Sequence, residues 1–302
     1  MQGPPAPRAR QRAAVPLVLA AVALFAVFDT AIKALGALAP LVMVLWVRYA
    51  FQVGFTVLTV WPRRGRALVG TRRLGLQLLR GAALLAMSAM AFLSLQVMPV
   101  GEFTAIVMLT PLLITFLANV MLGERVSALR WALLLAGLAC ALLILRPQAG
   151  DLQWTLLLPV ALVLAGAAFH ILSSLLARTE DPTTTHFYTG LLGTVLLTAA
   201  LYWHWQPLPA ATWALMLLAA ALSSSGHYLL ILGYGRAPAA SLTPYLYFQI
   251  AFATLAGALF FRHVPDAWAL AGVVGIGVCG ALGTWLTARE ARQAVAPGAQ
   301  VG

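Results

Sequence analysis

Charged residues are scarce in this chain. Asp, Glu, Lys and Arg together make up 9% of its 302 residues, whereas hydrophobic residues make up 62%. Soluble globular domains average about 25% charged residues. One soluble core could not hide so much apolar surface, so the composition excludes an ordinary soluble domain and predicts an integral membrane protein.

Acidic residues and cysteines are scarcer still. Eight Asp and Glu stand against 19 Lys and Arg, which gives a formal net charge of +11. The basic residues are nearly all Arg and cluster between apolar runs, a pattern typical of membrane orientation rather than of a nucleic-acid groove. Only Cys140 and Cys279 are present, both inside apolar runs, which excludes a disulfide framework or a CxxC metal site. We therefore expect no cofactor and no nucleic-acid partner.

Catalytic and nucleotide-binding motifs are also missing. The chain has no GxxxxGK[ST] loop, no HExxH pair and no GxSxG elbow. Their absence excludes ATP hydrolysis of the Walker type and leaves an intramembrane enzyme without a recognisable site. We expect no enzymatic activity. The remaining functions are a secondary transporter or, alternatively, a passive pore or membrane scaffold.

Long apolar runs dominate what is present. A spanning helix needs about 20 mostly apolar residues, and short breaks rich in Pro, Gly or charge separate ten such runs. The runs are 14–36, 40–62, 75–97, 101–122, 128–146, 154–177, 185–205, 212–232, 240–261 and 267–287. The predicted fold is an all-α membrane protein with ten transmembrane helices, an uncleaved first span, and tails at 1–13 and 288–302.

The distribution of Arg predicts the orientation. With the N-terminus in the cytoplasm, fourteen Arg fall in inside segments, and only Arg146 and Arg262 fall outside. Three further basic residues, Lys33, Arg48 and Arg80, lie within predicted spans. Because cytoplasmic segments carry the excess of basic residues, we expect both termini in the cytoplasm and the protein in a bacterial inner membrane.

A weak internal repeat divides the chain into two halves. Residues 92–145 align without a gap on 230–283, and Gly137 meets Gly275. The first five-helix repeat would cover 14–147 and the second 148–287. Because five is odd, the second repeat would enter the membrane from the opposite side. Inverted repeats of this kind surround a mid-membrane site that is exposed alternately to either side.

The segment MPVGEFTAIVMLTP at 98–111, followed by LGERV at 122–126, resembles the EamA-type group of the drug/metabolite transporter superfamily. The second half departs from this pattern, with FRH at 261–263 and Gln249 in place of a proline. The resemblance is greatest to bacterial exporters of aromatic amino acids. It implies a central cavity inside helices one to four and six to nine, with helices five and ten peripheral.

The stretch FDTAIKAL at 28–35 places charge inside an apolar run. Asp29 lies about 10 Å and Arg48 about 12 Å from the outer ends of their helices, and Lys33 is one turn from Asp29. Asp29 is therefore predicted to pair with Lys33, with Arg48, or with both. Such a cluster is either a structural ion pair or a gate and substrate site, because ionisable groups in spans usually face the bundle interior.

Other candidates are polar or aromatic side chains in or beside the spans. They are Ser94, Gln96, Glu102, His170, His227, Tyr228, Tyr245, Phe248 and Gln249. His170 is either a hydrogen-bonded interior residue or a proton carrier. Tyr245, Phe248 and Gln249 share a helix face, which is typical of an aromatic pocket wall or of ordinary core packing. Glu102 either lines the same space or sits in water at a helix N-terminus.

These patterns predict an exporter of small amphipathic metabolites, with aromatic amino acids as the first candidate, that works by alternating access. Exporters of other metabolites or of cationic drugs are alternatives. The expected partners are a small-molecule substrate and the lipid bilayer. The oligomeric state is left open, and a monomer is allowed.

Overall fold

The computed structural model describes residues 7–97, 107, 109–124, 126–145, 157–261 and 266–293, and within them the regular structure is helical with no strand. The helices are α1 (Pro7–Leu35), α2 (Leu41–Arg64), α3 (Leu74–Val97), α4 (Thr110–Leu122), α5 (Ala128–Leu145), α6 (Leu157–Leu176), α7 (Pro182–His204), α8 (Ala210–Tyr234), α9 (Ala239–Leu246), α10 (Phe248–Phe261) and α11 (Ala267–Gln293). Since α9 and α10 divide one predicted span, the ten predicted helices and the all-α fold are confirmed.

Most helix boundaries fall within a few residues of the predicted ones. The outermost helices are longer: α1 begins at Pro7 and α11 continues to Gln293. Residues 7–13 and 288–293, predicted as parts of the tails, are therefore helical. Arg, Ala and Gln are good helix formers, so a helix can continue beyond the apolar stretch that predicted it. Residues 101–106 and 154–156, which begin two predicted spans, lie outside the described residues.

Five of the described helices, α1, α2, α3, α6 and α8, are long and apolar enough to cross a membrane. The similarly long α7 is less apolar because its first turns carry Thr184, Thr185, His186 and Thr189. Those four side chains are buried. The same helix exposes Val195 on the outside. Polar groups turned inward and apolar groups turned outward are the arrangement that a helix needs in lipid.

The most extensive helix packing joins the two halves of the chain. Helix α1 lies along α8, α2 along α7, α3 along α6, and α5 along α11. We call the interface between α1–α5 and α6–α11 the seam. The close approach of α2 and α7 depends on Gly193, because the buried Tyr49 ring occupies the space where a Cβ atom would stand.

Helices α5 and α11 form a separate layer. They pack chiefly on each other, and their core is a cluster of its own that includes Leu134, Tyr247 and Ile276. Gly137 of α5 lies beneath the Tyr247 ring, where a Cβ atom would come within 2.8 Å of Cδ2. The central cluster instead joins α1, α2, α3, α4, α6, α8 and α9.

The ninth predicted span is broken at Tyr247, between α9 and α10. Pro244 lies inside α9 and lacks the amide that would bond the Ala240 carbonyl. The Thr243 hydroxyl donates to that carbonyl instead, at 3.1 Å. The break in the helix therefore lies three residues after the proline that removes a backbone donor.

Four connections meet at one end of the bundle, which we call the basic end. They join α2 to α3, α4 to α5, α6 to α7 and α8 to α9. Arg64 Nη1 lies 2.6 Å from Asp181 Oδ2, and Thr71 donates to Glu180 at 2.8 Å. Both bonds cross the seam, so polar contacts hold the two halves together at this end.

The contact between Tyr49 and Gly193 predicts a cost for any side chain at position 193. Gly193→Ala would force the Tyr49 ring to move, which we expect to lower the free energy of unfolding by about 1–3 kcal/mol. The measurement is thermal unfolding of the purified protein in detergent. Gly54→Ala is the matched control, since nothing lies within 4 Å of a Cβ atom there. Equal stability of the two variants would contradict the packing described.

Candidate functional site

Arg48 is buried in the seam and bridges the two halves. Its Nε donates to Ser223 Oγ of α8 at 2.6 Å, and its Nη1 donates to Ser88 Oγ of α3 at 2.9 Å. The guanidinium carbon also lies 5.3 Å from the centroid of the Phe28 ring and 5.1 Å from that of Tyr49. The charge is thus held by hydroxyls and aromatic faces.

Asp29 has a partner that was not among those predicted, and its pairing with Lys33 stays a prediction. Its Oδ2 accepts a hydrogen bond of 2.7 Å from Nε2 of Gln249 on α10. Between the described side chains of Asp29 and Arg48 there is no ion pair, so that part of the prediction is wrong. Asp29 and Arg48 were predicted at similar depth in the membrane, but the Arg48 guanidinium bonds to serines of α3 and α8 instead of to Asp29. The side chain of Lys33 lies outside the described residues.

Two phenylalanines of α1 lie close to Asp29 in the chain. Phe25 precedes Asp29 by four residues and shares its face of the helix, whereas Phe28 directly precedes Asp29 and points about 100° away from it. The Phe25 ring lies 4.7 Å from the His227 ring in an edge-on contact. Gly226 leaves the space that Phe25 fills. Sequence reasoning missed both rings, although their spacing from Asp29 was a usable signal.

Arg80 forms a second buried cluster towards the basic end. It is 1% exposed. Its Nε donates to Ser173 Oγ at 2.7 Å, and its Nη1 donates to the Thr189 hydroxyl. The guanidinium carbon stands 4.4 Å from the centroid of the Phe169 ring. The sequence placed Arg80 in a span but assigned it no role.

The two arginine clusters are connected through aromatic and imidazole rings. Phe169, which contacts Arg80, also lies 5.7 Å from His227. The Nδ1 of His227 in turn lies 2.8 Å from the Ser223 carbonyl oxygen, next to the hydroxyl that binds Arg48. A continuous polar and aromatic path therefore runs along the seam between the two guanidinium groups.

The other predicted histidine and tyrosine candidates are hydrogen-bonded or packed inside the bundle. His170 Nδ1 lies 2.7 Å from the Tyr234 hydroxyl, and the choice between an interior residue and a proton carrier stays a prediction. Tyr228 packs edge-on against His186 at 5.5 Å. Among the residues that the structure describes, no group of three or more His, Cys, Asp or Glu could hold a metal ion.

The aromatic residues of the ninth span pack towards α11. Tyr245 and Phe248 lie 6.5 Å apart. The Phe248 ring occupies the position of a Cβ atom at Gly280, and the Tyr245 hydroxyl comes 3.5 Å from such a position at Gly283. These contacts match the core-packing reading, whereas the neighbouring Gln249 turns to α1. A role in a pocket wall stays a prediction.

The remaining candidates contribute less to this geometry. Ser94 is buried and donates to the Met90 carbonyl of its own helix at 2.7 Å. Gln96 belongs to α3, but its side chain lies outside the described residues, and Glu102 lies outside them altogether. Predicted roles for Gln96 and Glu102 therefore stay predictions.

Glu124 links three connections at the basic end. Its Oε2 accepts from the Ala240 amide at 3.0 Å, and its Oε1 accepts from Ala239 at 3.3 Å and from Arg178 at 3.0 Å. The Glu124 side chain is 9% exposed and that of Arg178 is 49% exposed. We call these four residues the latch. Anionic carboxylates are stabilised at a helix N-terminus such as that of α9.

Asp181 supports the same end of the bundle from the start of α7. Partial burial raises the pKa of Asp181, but hydrogen bonds from Arg64 and from the Thr183 amide outweigh burial and hold the pKa below its ordinary value. Since the folded-state pKa is lowered, the bond to Arg64 is present at neutral pH and is lost only as the pH falls through that pKa.

Known proteins of related sequence identify the family. The model of the EamA-like transporter family matches residues 153–286. A riboflavin transporter of Rhizobium johnstonii is 34% identical over 223 residues, which cover 72% of this chain and 74% of that protein. The chain belongs to the EamA-like transporter family. It is therefore a multi-pass membrane protein, and the predicted membership of this superfamily is confirmed.

Further relatives differ in the substrates that their names give. A riboflavin transporter of Vibrio cholerae is 27% identical, covering 65% of this chain and 66% of that protein. An S-adenosylmethionine uptake transporter of Rickettsia bellii is 24% identical, covering 70% of this chain and 72% of that protein. A solved structure titled "Crystal structure of protein" shares the fold, with a TM-score of 0.79, 18% identity, and coverage of 92% of this chain and 98% of that one.

The bond between Asp29 and Gln249 predicts an energetic coupling between α1 and α10. We expect a double-mutant cycle of Asp29→Ala and Gln249→Ala to give a coupling of about 1 kcal/mol. Hydrogen bonds to charged groups are worth about 1.5–3 kcal/mol, and the exposure of Asp29 reduces that value. The measurement is reversible unfolding in mixed micelles. The control is the cycle of Asp29→Ala and Gln52→Ala, because Gln52 bonds to His186 instead. If the effects of Asp29→Ala and Gln249→Ala on the free energy of unfolding were additive, the contact would be refuted.

Proposed function

We propose that this chain is a secondary transporter of a planar aromatic metabolite in a bacterial inner membrane, with riboflavin as the first candidate. The observation that supports this proposal most is the cluster of aromatic and hydrogen-bonding side chains in the seam between the two halves. Phe28 and Arg48 meet there from α1 and α2, and Asp29 meets Gln249 from α10. Ligand sites typically combine apolar walls with a few convergent polar groups of this kind.

The chemistry of riboflavin fits these groups. Its flat ring can lie against the rings of Phe25 and Phe28, because aromatic rings associate by stacking and edge-on contact. The polar edge of the flavin and its sugar-like chain offer hydrogen-bonding partners to Arg48, Asp29 and Gln249. Relatives in three bacteria are named riboflavin transporters, which supports this substrate.

Aromatic amino acids are the second candidate. One observation favours them: the Phe28 ring contacts the base Arg48 and is followed directly in the chain by the acid Asp29. The ammonium of an amino acid would meet Asp29, and its carboxylate would meet Arg48. The predicted export direction rests on family resemblance alone. Relatives in Rickettsia are named uptake transporters, so we propose uptake as the direction.

Alternating access of two inverted repeats is the proposed mechanism, and the packing supports it. In the two repeats, α1 corresponds to α6, α2 to α7 and α3 to α8. The contact of α1 with α8 then corresponds to that of α6 with α3, and the contact of α2 with α8 corresponds to that of α7 with α3. All four pairs of helices pack together. In addition, the ninth span breaks at Tyr247, which lies about 12 Å along the helix from its start. Interrupted helices near the midplane are typical of transporter sites.

The latch at Glu124 is the proposed inner gate. Together with Arg178 it ties the first half to the start of α9, and the excess of Arg in these connections supports a cytoplasmic location of the basic end. Opening towards the cytoplasm would break these bonds. Rocking of the halves about the seam would then expose Arg80 first, since it lies nearer to this end than Arg48 does.

Counterflow of labelled riboflavin in liposomes containing the purified protein tests the substrate. We expect saturable riboflavin exchange, because a carrier with a seam site binds before it moves its substrate. Labelled tryptophan tests the second candidate in parallel, and leucine serves as the aliphatic control. Exchange of tryptophan without riboflavin would move the assignment to amino acids, and flux without saturation would indicate a pore.

Loss of the latch should open the seam towards the cytoplasm. In a chain with Cys140 and Cys279 replaced by alanine, we introduce Ser173→Cys as a buried reporter and follow its labelling by an impermeant maleimide. We expect Glu124→Ala to raise the labelling rate about tenfold, because hydrogen bonds to a charged group are lost. Arg66→Gln, which removes an exposed charge at the same end without breaking a described contact across the seam, is the control with little change. Equal rates in both variants would exclude the latch as a gate.

A further inference from the structure

The two buried guanidinium groups in the seam have no carboxylate partner among the described residues. Arg48 is 5% exposed and Arg80 is 1% exposed. Hydroxyl groups alone accept from them: Ser88 and Ser223 from Arg48, and Ser173 and Thr189 from Arg80. A buried charge without a counter-charge costs several kcal/mol, so two of them on one path call for a reason beyond stability.

Three of the four hydroxyl partners do not require the arginines. Ser88 donates to the Leu84 carbonyl at 2.8 Å, and Ser173 donates to the Phe169 carbonyl at 2.7 Å. Thr189 likewise donates to its own helix, to the Thr185 carbonyl at 2.8 Å. Removing the Arg80 guanidinium would therefore leave both of its hydroxyl partners with a bonded hydrogen, and removing that of Arg48 would leave Ser88 so. These three hydroxyls do not depend on the arginines, whereas Ser223 has only a longer contact, 3.5 Å to His227 Nδ1, besides Arg48.

Each guanidinium keeps donors for another ligand. A guanidinium carries five N–H donors in a planar fork, and the described residues accept only at Nε and Nη1 of Arg48 and of Arg80. The fork matches carboxylates, phosphates and paired carbonyl groups. Next to each fork lies an aromatic face, Phe28 at Arg48 and Phe169 at Arg80.

We propose that Arg48 and Arg80 are two successive binding positions for an electron-rich, hydrogen-bond-accepting pole of the substrate, and that they disfavour cations. The inference rests on the proposed function and deepens it by naming the substrate class. Arg80 and Ser88, the α3 partner of Arg48, are eight residues apart on one helix, or about 12 Å. During uptake, this pole of the substrate would bind Arg48 first and then Arg80, which lies nearer the basic end.

This substrate class includes both candidates above and excludes one earlier alternative. The paired carbonyls of the flavin ring and the carboxylate of an aromatic amino acid are both acceptor poles beside a ring. A cationic drug without such a pole would meet two uncompensated positive charges on the same path. Like charges in a medium of low dielectric constant repel each other strongly.

The test uses two probes that share a ring and differ in charge: indole-3-propionate, an anion at neutral pH, and tryptamine, a cation. Their binding is measured by the shift of the thermal unfolding midpoint of the full-length protein in detergent. The proteins compared are the unmodified chain, Arg48→Gln, Arg80→Gln and the corresponding Lys variants. Arg289→Gln is the control, since Arg289 lies against Trp285 near the end of α11.

We expect the anion to stabilise the unmodified protein and tryptamine not to do so. The apparent dissociation constant of the anion should rise on the order of tenfold in either Gln variant, and less in the Lys variants, which keep the charge. Without ligand, the Gln variants should unfold at the same or a higher temperature, because a buried uncompensated charge is gone. A purely structural role would instead lower that temperature and leave the probe preference unchanged.

Two outcomes would overturn the inference: stabilisation by tryptamine equal to or greater than that by the anion, or no stabilisation by either probe. Failure of riboflavin counterflow is a separate result. It would remove the flavin assignment and leave the preference for an electron-rich pole standing. Conversely, riboflavin exchange that is unchanged in both Gln variants, without anion preference, would remove this inference and leave the transport function intact.

Discussion

The structure depends on one constraint: a polar group inside the bilayer must find its partners within the protein. In this chain those partners lie across the seam. Arg48 reaches serines of both halves, and Arg80 reaches Ser173 and Thr189 of the second half from the first. The contacts that hold the halves together are therefore also the polar groups that a substrate would meet, which places binding and conformational change in the same interface.

The sequence predicted what depends on composition along the chain. Apolar runs located the helices, and the break in the ninth span lies three residues after a proline that is visible in the sequence, Pro244. It predicted less about which neighbours meet. Depth along two helices placed Asp29 and Arg48 at one level, but depth does not specify the direction in which a side chain leaves its helix. Asp29 faces Gln249 and Arg48 faces serines, a result decided by the rotation of packed helices. Tyr245 and Phe248 turned to α11 for the same reason.

What the sequence missed has a common physical cause. Phe28 and Phe169 look like ordinary lipid-facing or core residues in an apolar run, and only packing shows that they lie beside guanidinium groups. Arg80 was visible as a charge in a span, but its partners are hydroxyls of α6 and α7, far away in the chain. The latch was equally hidden, because the carboxylate of Glu124 caps a helix that begins 115 residues later. Short sequence motifs indicate family membership better than they predict contacts between distant parts of the chain.

The central claim is that the substrate binds in the seam with its ring on α1 and its electron-rich edge on a buried arginine. The most direct measurement is an experimental structure of the protein with riboflavin bound. The account predicts flavin density in the seam, with the ring against Phe28 and its carbonyl edge within hydrogen-bonding distance of Arg48 or Arg80. Flavin density outside the seam, on the lipid-facing surface of the helices, would contradict it.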